Sequence, residues 1–301
     1  MDNWEDILEA INNEKFEYIS FDIFDTLLLR PFWEPSDLFF FTGFIAKEMN
    51  LVKSEYDFLK IRKNAEINLR YRMRDIYQDI SLNEIYDYIN KNNIRTCDVD
   101  KLKQNEKDME LYFCYRRNSG YELYKEALKC NKKVILISDM YLDKSDIDNI
   151  LINNGYQQIY RTYISSEIRL GKYTGDLFKY VKKDLSINEK NILHIGDNYK
   201  ADVIKAKENG FNSCYLPKAK DVYLSNEKQK QLSSLKLRII KGIEANLKWD
   251  NPFYEQSSSN LKNKYEDVFS KFSLNIENCK VPKEIPEILK KIRALISYKL
   301  N

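Results

Sequence analysis

The sequence is poor in glycine, proline and histidine, and it lacks a long apolar run. Its 301 residues include 8 glycines, 6 prolines and one histidine. This scarcity excludes collagen-like and low-complexity classes and favours a globular protein of ordered helices and strands. The longest apolar stretch, 38–46, is far too short to span a bilayer, and residues 1–13 have no apolar core of signal-peptide length. We therefore expect a cytoplasmic protein without a membrane span.

Charge of either sign is not in excess. The 49 basic and 46 acidic residues leave a net charge of +3. This balance produces no extended field that would hold nucleic acid or an anionic membrane, so an anionic ligand must be bound locally. The five cysteines are odd in number and form no C-x-x-C pair, which argues against zinc and dithiol redox centres. The single histidine, His194, lies in a predicted strand, which favours a structural role over a catalytic one.

Short runs of β-branched and aromatic residues predict five strands. These runs are 17–21, 133–137, 160–164, 191–195 and 213–216. From the second run onward they alternate with predicted helices, which begin near Asp143 or Ser145, at Thr174 and near Tyr199. Strands that alternate with helices of this length indicate an α/β fold with a Rossmann-like parallel sheet and right-handed crossovers.

Residue composition and hydrophobic pattern divide the chain into three parts. Residues 1–32 and 119–217 form the predicted sheet core. Residues 33–118 form an insertion of about 85 residues, which is too long for a loop and predicts a helical cap. Residues 218–301 predict a C-terminal helical extension, whose last helix near 285–300 has one apolar stripe. That stripe could pack on the core, or on a protein partner or a second copy of the chain.

Polar residues with matching chemistry follow the predicted strands. The first strand leads to Asp22 and Asp25, the second to Ser138 and Asp139, and the fourth to Asp197, Asn198 and Asp202, while Lys172 follows the third. Because the carboxyl ends of parallel strands meet at one edge, these groups should converge. Clustered carboxylates repel one another unless a cation lies between them, and oxygen ligands without a histidine or cysteine cluster suit Mg²⁺. A lysine and a hydroxyl beside that ion suit a phosphoryl group.

Four segments in order carry a family resemblance. They are FDIFDTL (21–27), VILISD (134–139), GKYTGDLF (171–178) and ILHIGDNYKAD (192–202). This set resembles the four motifs of the haloacid dehalogenase (HAD) superfamily, and the insertion resembles the helical cap that follows the first motif in that family. The resemblance covers about 16–31 and 119–217 and implies a HAD-like core. FDIFDTL-type members are associated with surface-polysaccharide biosynthesis.

The resemblance also implies roles for single residues. Asp22 would be the nucleophile and a metal ligand, with Phe24 (through its backbone carbonyl) and Asp197 as further ligands. Catalysis and phosphate binding would involve Ser138 and Lys172, with Thr26 at the same loop. Asp139 is either a second residue of the phosphate site or metal shell, or the cap of the following helix. Asp202, Asn198 and Asp25 would support the site.

The implied function is a Mg²⁺-dependent phosphatase that acts on a small metabolite phosphate, such as a sugar or polyol phosphate, through an aspartyl-phosphate on Asp22. One position departs from this pattern. Phosphatases of the superfamily usually carry a second aspartate two residues after the nucleophile, as the general acid, whereas this chain has Phe24. A dehalogenase-like hydrolase that uses Asp22 on carbon, and a catalytically weak binding or scaffold protein, therefore remain alternatives.

Arginines in and after the insertion allow two interpretations. They are Arg70, Arg72, Arg74, Arg116 and Arg117. Solvated helix faces are favoured, and contacts between the cap and an anionic substrate are the alternative. The sequence leaves open the substrate, the replacement for the general acid, the oligomeric state and the role of residues 218–301.

Overall fold

A parallel sheet lies at the centre of the molecule. The computed structural model describes residues 3–94, 96–186, 191–226 and 235–254. The strands in this part of the chain are β1 (Tyr18–Phe21), β2 (Leu28–Leu29), β3 (Tyr115–Arg116), β4 (Lys133–Ser138), β5 (Arg161–Ile164), β6 (Ile192–Gly196) and β7 (Asn212–Tyr215). Five of them form the sheet, in the order β5-β4-β1-β6-β7, and all neighbours in it are parallel. The predicted α/β fold class is confirmed.

Helices fill most of the rest of the described part of the chain. They are α1 (Trp4–Asn12), α2 (Phe39–Glu48), α3 (Glu55–Met73), α4 (Leu82–Asn92), α5 (Val99–Phe113), α6 (Asn118–Lys129), α7 (Lys144–Asn153), α8 (Ser165–Ile168), α9 (Asp176–Leu185), α10 (Ala206–Glu208), α11 (Ala219–Asn226) and α12 (Leu235–Lys248). A 3₁₀ turn over Pro35–Leu38 precedes α2, and a π-helical segment over Tyr199–Lys205 leads into α10.

The sheet is covered on both faces. Along β4, Val134 and Leu136 belong to one hydrophobic cluster, whereas Ile135 and Ile137 belong to another. Because successive side chains of a strand point to opposite faces, this division shows a core on each side of the sheet. Strands buried on both faces are continuous apolar runs, as expected for a parallel sheet. The sequence predicts these strands well for that reason.

A small antiparallel ladder joins the sheet region to the inserted helices. Strand β2 pairs with β3, with Leu28 opposite Arg116 and Leu29 opposite Tyr115. Helices α2 to α5 lie between these two strands in the sequence. The chain therefore leaves the sheet region and returns to it side by side. The sequence analysis did not predict this ladder.

The described part of the C-terminal extension packs onto this junction. Helix α12 places Asn246 next to β2, where its Nδ2 donates to the carbonyl of Arg30 at 2.7 Å. Trp33 packs edge to face against Tyr223 of α11. The helix predicted near 285–300 lies outside the described residues.

One predicted helix boundary is wrong by two residues. Helix α9 begins at Asp176 rather than at Thr174. The Gly175 N–H closes a turn onto the carbonyl of Lys172 at 2.9 Å, and Gly175 has φ of 90°, so the helix cannot begin before it. The Thr174 hydroxyl still accepts from the backbone N–H of Asp176, at 3.2 Å.

Within the described ranges, no helix has both the length and the apolar character needed to cross a membrane.

Candidate active site

A cavity of about 260 Å³ opens at the carboxyl edge of the sheet. Its wall contains side chains from the ends of three strands together with groups from the loops beside them. The lining residues are Asp22, Phe24, Asp25, Arg30, Pro35, Ser138, Asp139, Met140, Tyr141, Lys172, Asp197, Asn198, Ala201, Asp202 and Lys218. The structure thus brings together the strand-end residues that the sequence analysis selected, with the exception of Thr26.

Lys172 joins two carboxylates at the base of the cavity. Its Nζ lies 2.6 Å from Oδ1 of Asp22 and 2.6 Å from Oδ1 of Asp202. All three side chains are buried. Burial alone would lower the pKa of Lys172, but the attraction of Asp202 and Asp22 outweighs it and raises that pKa. Lys172 is therefore a permanent cation at the site, which binds both acids.

Asp202 is held from three directions. Burial would raise its pKa, but Lys172 and the hydrogen bond from His194 hold the pKa well below its usual range. His194 Nε2 lies 3.2 Å from Oδ1 of Asp202, and its Nδ1 lies 2.8 Å from the Ser20 hydroxyl. The backbone N–H of Asn198 donates to the other oxygen at 2.9 Å. His194 therefore acts inside the core to orient Asp202, which agrees with the structural role predicted for it.

Gly196 makes room for this arrangement. A Cβ at this position would lie 2.4 Å from Cγ of Asp202. Any side chain at the end of β6 would therefore push Asp202 away from Lys172. The glycine of the ILHIGD segment is required by this close approach and not by a turn.

Asp197 is a buried acid of the cavity wall, directly after β6. Its Oδ1 accepts from the Thr26 hydroxyl at 3.1 Å, and its Oδ2 lies 2.7 Å from Nζ of Lys218. Burial raises the pKa of Asp197 well above its usual range, and the Lys218 charge only partly opposes this. Thr26 is fully buried beneath Asp197. Its observed contact is thus with the acid, and a direct contact with phosphate stays a prediction.

Lys218 is the main site residue that the sequence analysis missed. Besides Asp197, its Nζ contacts Oδ2 of Asp25 at 3.1 Å. Burial would raise the pKa of Asp25, but Lys218 outweighs it and lowers that pKa. A signal existed, because Lys218 follows β7 by three residues and so stands at the same sheet edge as the polar groups after the other strands.

Asp139 holds the loop that carries Lys172. Its two carboxylate oxygens accept from the backbone N–H of Lys172 at 2.9 and 3.2 Å. Partial removal of water from its carboxylate raises the pKa of Asp139 to about 6, and the positive charge of Lys172 acts in the opposite direction. The proposed helix-cap role is wrong, because the cap of α7 is Asp143. Asp139 remains part of the cavity wall beside Ser138.

Phe24 and Arg30 form the cavity wall at the position where a second aspartate, two residues after Asp22, would otherwise lie. The guanidinium carbon of Arg30 lies 4.1 Å from the centre of the Phe24 ring. Glu110 binds that guanidinium through two hydrogen bonds, of 2.7 and 3.0 Å. The Tyr141 hydroxyl donates to Glu110 at 3.3 Å. Phe24 is therefore held in place by this group, and Asp25 is directed to Lys218.

The arginines singled out in the sequence have different positions. Arg117 is fully buried, and it donates to the backbone carbonyls of Asp25, Pro217 and Asp250. The interpretation of Arg117 as part of a solvated face is therefore wrong. Arg70 pairs with Asp79 and, at 3.0 Å, with Glu66. The five arginines are not among the residues that line the cavity.

The donor set of the cavity fits a divalent cation. Asp22, Asp197 and Asp202 are all buried, and each offers an oxygen atom within 4.8 Å of the others. Four acids, these three and Asp25, face two lysines, so with all four acids ionised, as they would be around a bound cation, the group carries a formal charge of −2. Hard carboxylate oxygens with this residual charge suit Mg²⁺. Phe24, two residues after Asp22, lines the same cavity.

Comparison with known proteins gives structural likenesses only. No protein-family model matches the chain, and no curated protein matches it. The chain is similar to a HAD-family enzyme from Bacteroides thetaiotaomicron in complex with magnesium and inorganic phosphate (17% identity, 73% of this chain, 100% of that chain, TM-score 0.47).

Two further similar structures are of proteins described by different activities. One is the putative HAD-hydrolase YfnB from Bacillus subtilis, bound to magnesium (14% identity, 67% of this chain, 88% of that chain, TM-score 0.47). The other is the L-2-haloacid dehalogenase from Xanthobacter autotrophicus (11% identity, 71% of this chain, 85% of that chain, TM-score 0.47). Likenesses of this size do not decide between phosphate and halide chemistry.

Proposed function

We propose that this chain is a Mg²⁺-dependent phosphatase that removes phosphate from a small metabolite through an aspartyl-phosphate on Asp22. The observation that carries the proposal is the position of Asp22 in the cavity wall. It lies beside Ser138, its Oδ1 is bonded to Lys172, and its carboxylate belongs to the three-acid group described above. A nucleophile, a fixed cation and a cation-binding group thus share one cavity.

Backbone and side-chain contacts position the Asp22 carboxylate for attack on phosphorus. Its backbone N–H donates to the carbonyl of Ile195 at 2.9 Å, which continues the β1–β6 pairing up to the nucleophile. With Oδ1 bonded to Lys172, we assign attack on phosphorus to Oδ2. Phosphorus bonds to this oxygen while the bond to the leaving oxygen breaks, and water later hydrolyses the aspartyl-phosphate. Ser138 and Lys172 would bind the phosphoryl oxygens, which spread charge in the transition state.

Three groups would hold the metal ion. They are the Asp22 and Asp197 carboxylates and the Phe24 carbonyl, with Asp202 and Asn198 as supports. Bound Mg²⁺ would supply charge neutralisation at the transferring phosphoryl group. The −2 charge of the acids and lysines supports this assignment, because it matches one divalent ion.

The cavity favours a small substrate. Its volume of about 260 Å³ is below the ~300–1,000 Å³ typical of drug-sized ligand sites. Beyond the carboxylates, the wall offers Phe24, Pro35, Met140 and Tyr141, with Arg30 at one side. A sugar or polyol phosphate is consistent with this mixture. A link to surface-polysaccharide synthesis stays a prediction from the sequence motifs.

A phosphate-release screen tests the proposal. We expect release from at least one member of a metabolite-phosphate panel, dependent on Mg²⁺ and abolished by chelator. Asp22→Asn should reduce kcat by a factor of ~10³ or more, because it removes the nucleophile. The matched control is Asp87→Asn, which changes an exposed aspartate of α4 and should leave kcat unchanged. Release that survives both chelator and Asp22→Asn would contradict the proposal.

Phe24 keeps a dehalogenase-like reaction as the second candidate. An aromatic side chain lines the cavity where a proton donor for a leaving oxygen would otherwise stand, and a halide leaving group needs no such donor. The same purified protein distinguishes the two activities. Halide release from 2-haloacids without added metal, combined with no phosphate release, would favour the second candidate.

A further inference from the structure

Lys218 forms ion pairs with two acids of the cavity. Its Nζ lies 2.7 Å from Oδ2 of Asp197 and 3.1 Å from Oδ2 of Asp25. The other oxygen of Asp197 already accepts from Thr26 at 3.1 Å. Both oxygens of this candidate metal ligand are therefore engaged by the protein itself.

The loops that carry Lys218 and Asp25 are fixed to each other. Arg117 donates to the carbonyl of Asp25 and to that of Pro217, the residue before Lys218. Asp25 also adopts a left-handed backbone, with φ of 61°. The Lys218 side chain is about one-quarter exposed, so its ammonium end can move while its backbone stays in place. Asp25 offers it a second partner whenever Asp197 is occupied by another cation.

We propose that Lys218 is a built-in counter-ion of the metal site: it holds Asp197 when no metal is bound, competes with Mg²⁺ for Oδ2 of Asp197, and keeps its pairing with Asp25 when Mg²⁺ takes that oxygen. The inference rests on the metal site of the proposed function and is independent of the identity of the substrate. It assigns to Lys218 the control of metal affinity rather than a chemical step.

Charge determines the direction of the effect. Asp22, Asp25, Asp197 and Asp202 with Lys172 and Lys218 sum to −2, and removal of Lys218 changes the sum to −3. A divalent cation is attracted more strongly to the larger negative charge. Without metal, however, loss of Lys218 leaves Asp197 and Asp25 without this partner. Asp197 is buried, and an unpaired buried carboxylate destabilises a fold.

Mg²⁺ binding to the substrate-free full chain tests this inference. Lys218→Met keeps the apolar stem and removes the charge, and Lys218→Gln is a second variant that retains hydrogen bonding. By calorimetric titration, we expect both variants to bind Mg²⁺ at least ~10-fold more tightly than the unmodified chain, which corresponds to ~1.4 kcal/mol. In chelator, both should melt at a lower temperature, and excess Mg²⁺ should remove much of that difference. Lys179→Met, an exposed lysine of α9, is the control of equal charge change.

The outcomes separate this inference from the proposed function. If the unmodified chain, the Lys218 variants and the Lys179 variant all bind Mg²⁺ with one affinity, the inference is wrong and the proposed phosphatase stands. Weaker Mg²⁺ binding by the Lys218 variants also overturns the inference. If no form of the chain binds Mg²⁺, both the inference and the metal dependence of the proposed function fail.

Discussion

At the scale of single residues, each acid of the cavity has a different partner. Asp22 shares Lys172 with Asp202, Asp197 shares Lys218 with Asp25, and Asp139 accepts from the Lys172 backbone. Carboxylates of one chemical type are thereby driven apart in pKa, with Asp202 lowered and Asp197 raised. Groups with such divergent pKa values commonly mark sites of chemistry.

Asp139 yields a prediction about pH. Its pKa is raised to about 6 in the folded chain, compared with ~3.9 for an ordinary aspartate. The folded state therefore binds this proton more tightly than the unfolded state. The resulting stabilisation is fully present below pH ~4 and is lost as the pH rises through ~6. Asp139→Asn should remove this component, so the free energy of unfolding should fall less, or rise more, between pH 4 and pH 7 than it does in the unmodified chain.

Urea denaturation at a series of pH values measures the effect. The amide keeps an oxygen that can accept from the Lys172 N–H, so the loop should retain its position. Asp87→Asn on α4 again serves as the control and should preserve the full pH dependence. A slope of stability against pH that is the same in Asp139→Asn and in the unmodified chain would contradict the prediction.

The sequence predicted the residues that local patterns mark. Asp22, Ser138 and Asp197 stand directly after apolar strands, so the strand pattern alone indicates their shared edge. No local sequence pattern indicates the roles of Arg30 and Arg117. Their partners Glu110 and Asp250 lie 80 and 133 residues away, and no local pattern reports a contact over that separation.

At the scale of elements, the β2–β3 ladder shows the same limit. Each strand has two residues, which is too short for an alternating pattern to appear, and about 85 residues separate them. The inner strands of the main sheet were predictable because both of their faces are buried and their runs are mostly apolar, as in Lys133–Ser138 and Ile192–Gly196. Helix α12 lies within the predicted C-terminal helical extension, but its position against the ladder region depends on contacts that only the fold reveals.

Gly242 of α12 gives the prediction at this scale. A Cβ at this position would lie 2.7 Å from the carbonyl carbon of Phe32 and 2.8 Å from the backbone nitrogen of Trp33. An exposed helix gains ~1 kcal/mol when alanine replaces glycine. Here the backbone of the neighbouring segment must move, so Gly242→Ala should instead destabilise the protein by ~1–3 kcal/mol.

Chemical denaturation monitored by circular dichroism checks the sign. Asp87→Ala, at an exposed position of α4, is the control and should change the free energy of unfolding by less than ~0.5 kcal/mol. A stabilised Gly242→Ala protein would mean that α12 does not approach the 32–33 backbone closely. The sign alone therefore decides the question.

At the scale of the whole molecule, the C-terminal extension is tied to the core. The Asp250 carboxylate accepts from the backbone N–H groups of Asn118 and Ser119, both at 2.9 Å, at the start of α6. Its backbone carbonyl accepts from Arg117 at 2.9 Å and also from the Ser119 hydroxyl. The division at residue 218 is a useful description of the sequence, but these bonds connect its two sides through buried groups.

These bonds lead to a prediction about cooperativity. Asp250→Ala removes the acceptor of two helix-start N–H groups, a change that typically costs ~1–3 kcal/mol when the groups are buried. Because α12, α6 and the Asp25 loop share Arg117 and Asp250, we expect calorimetry to show one transition at a lower temperature, rather than a separate early transition for the extension. Asp250→Asn retains one oxygen acceptor and should lie between the two proteins. Two resolved transitions in Asp250→Ala would show that the extension unfolds on its own and that the site loops do not depend on it.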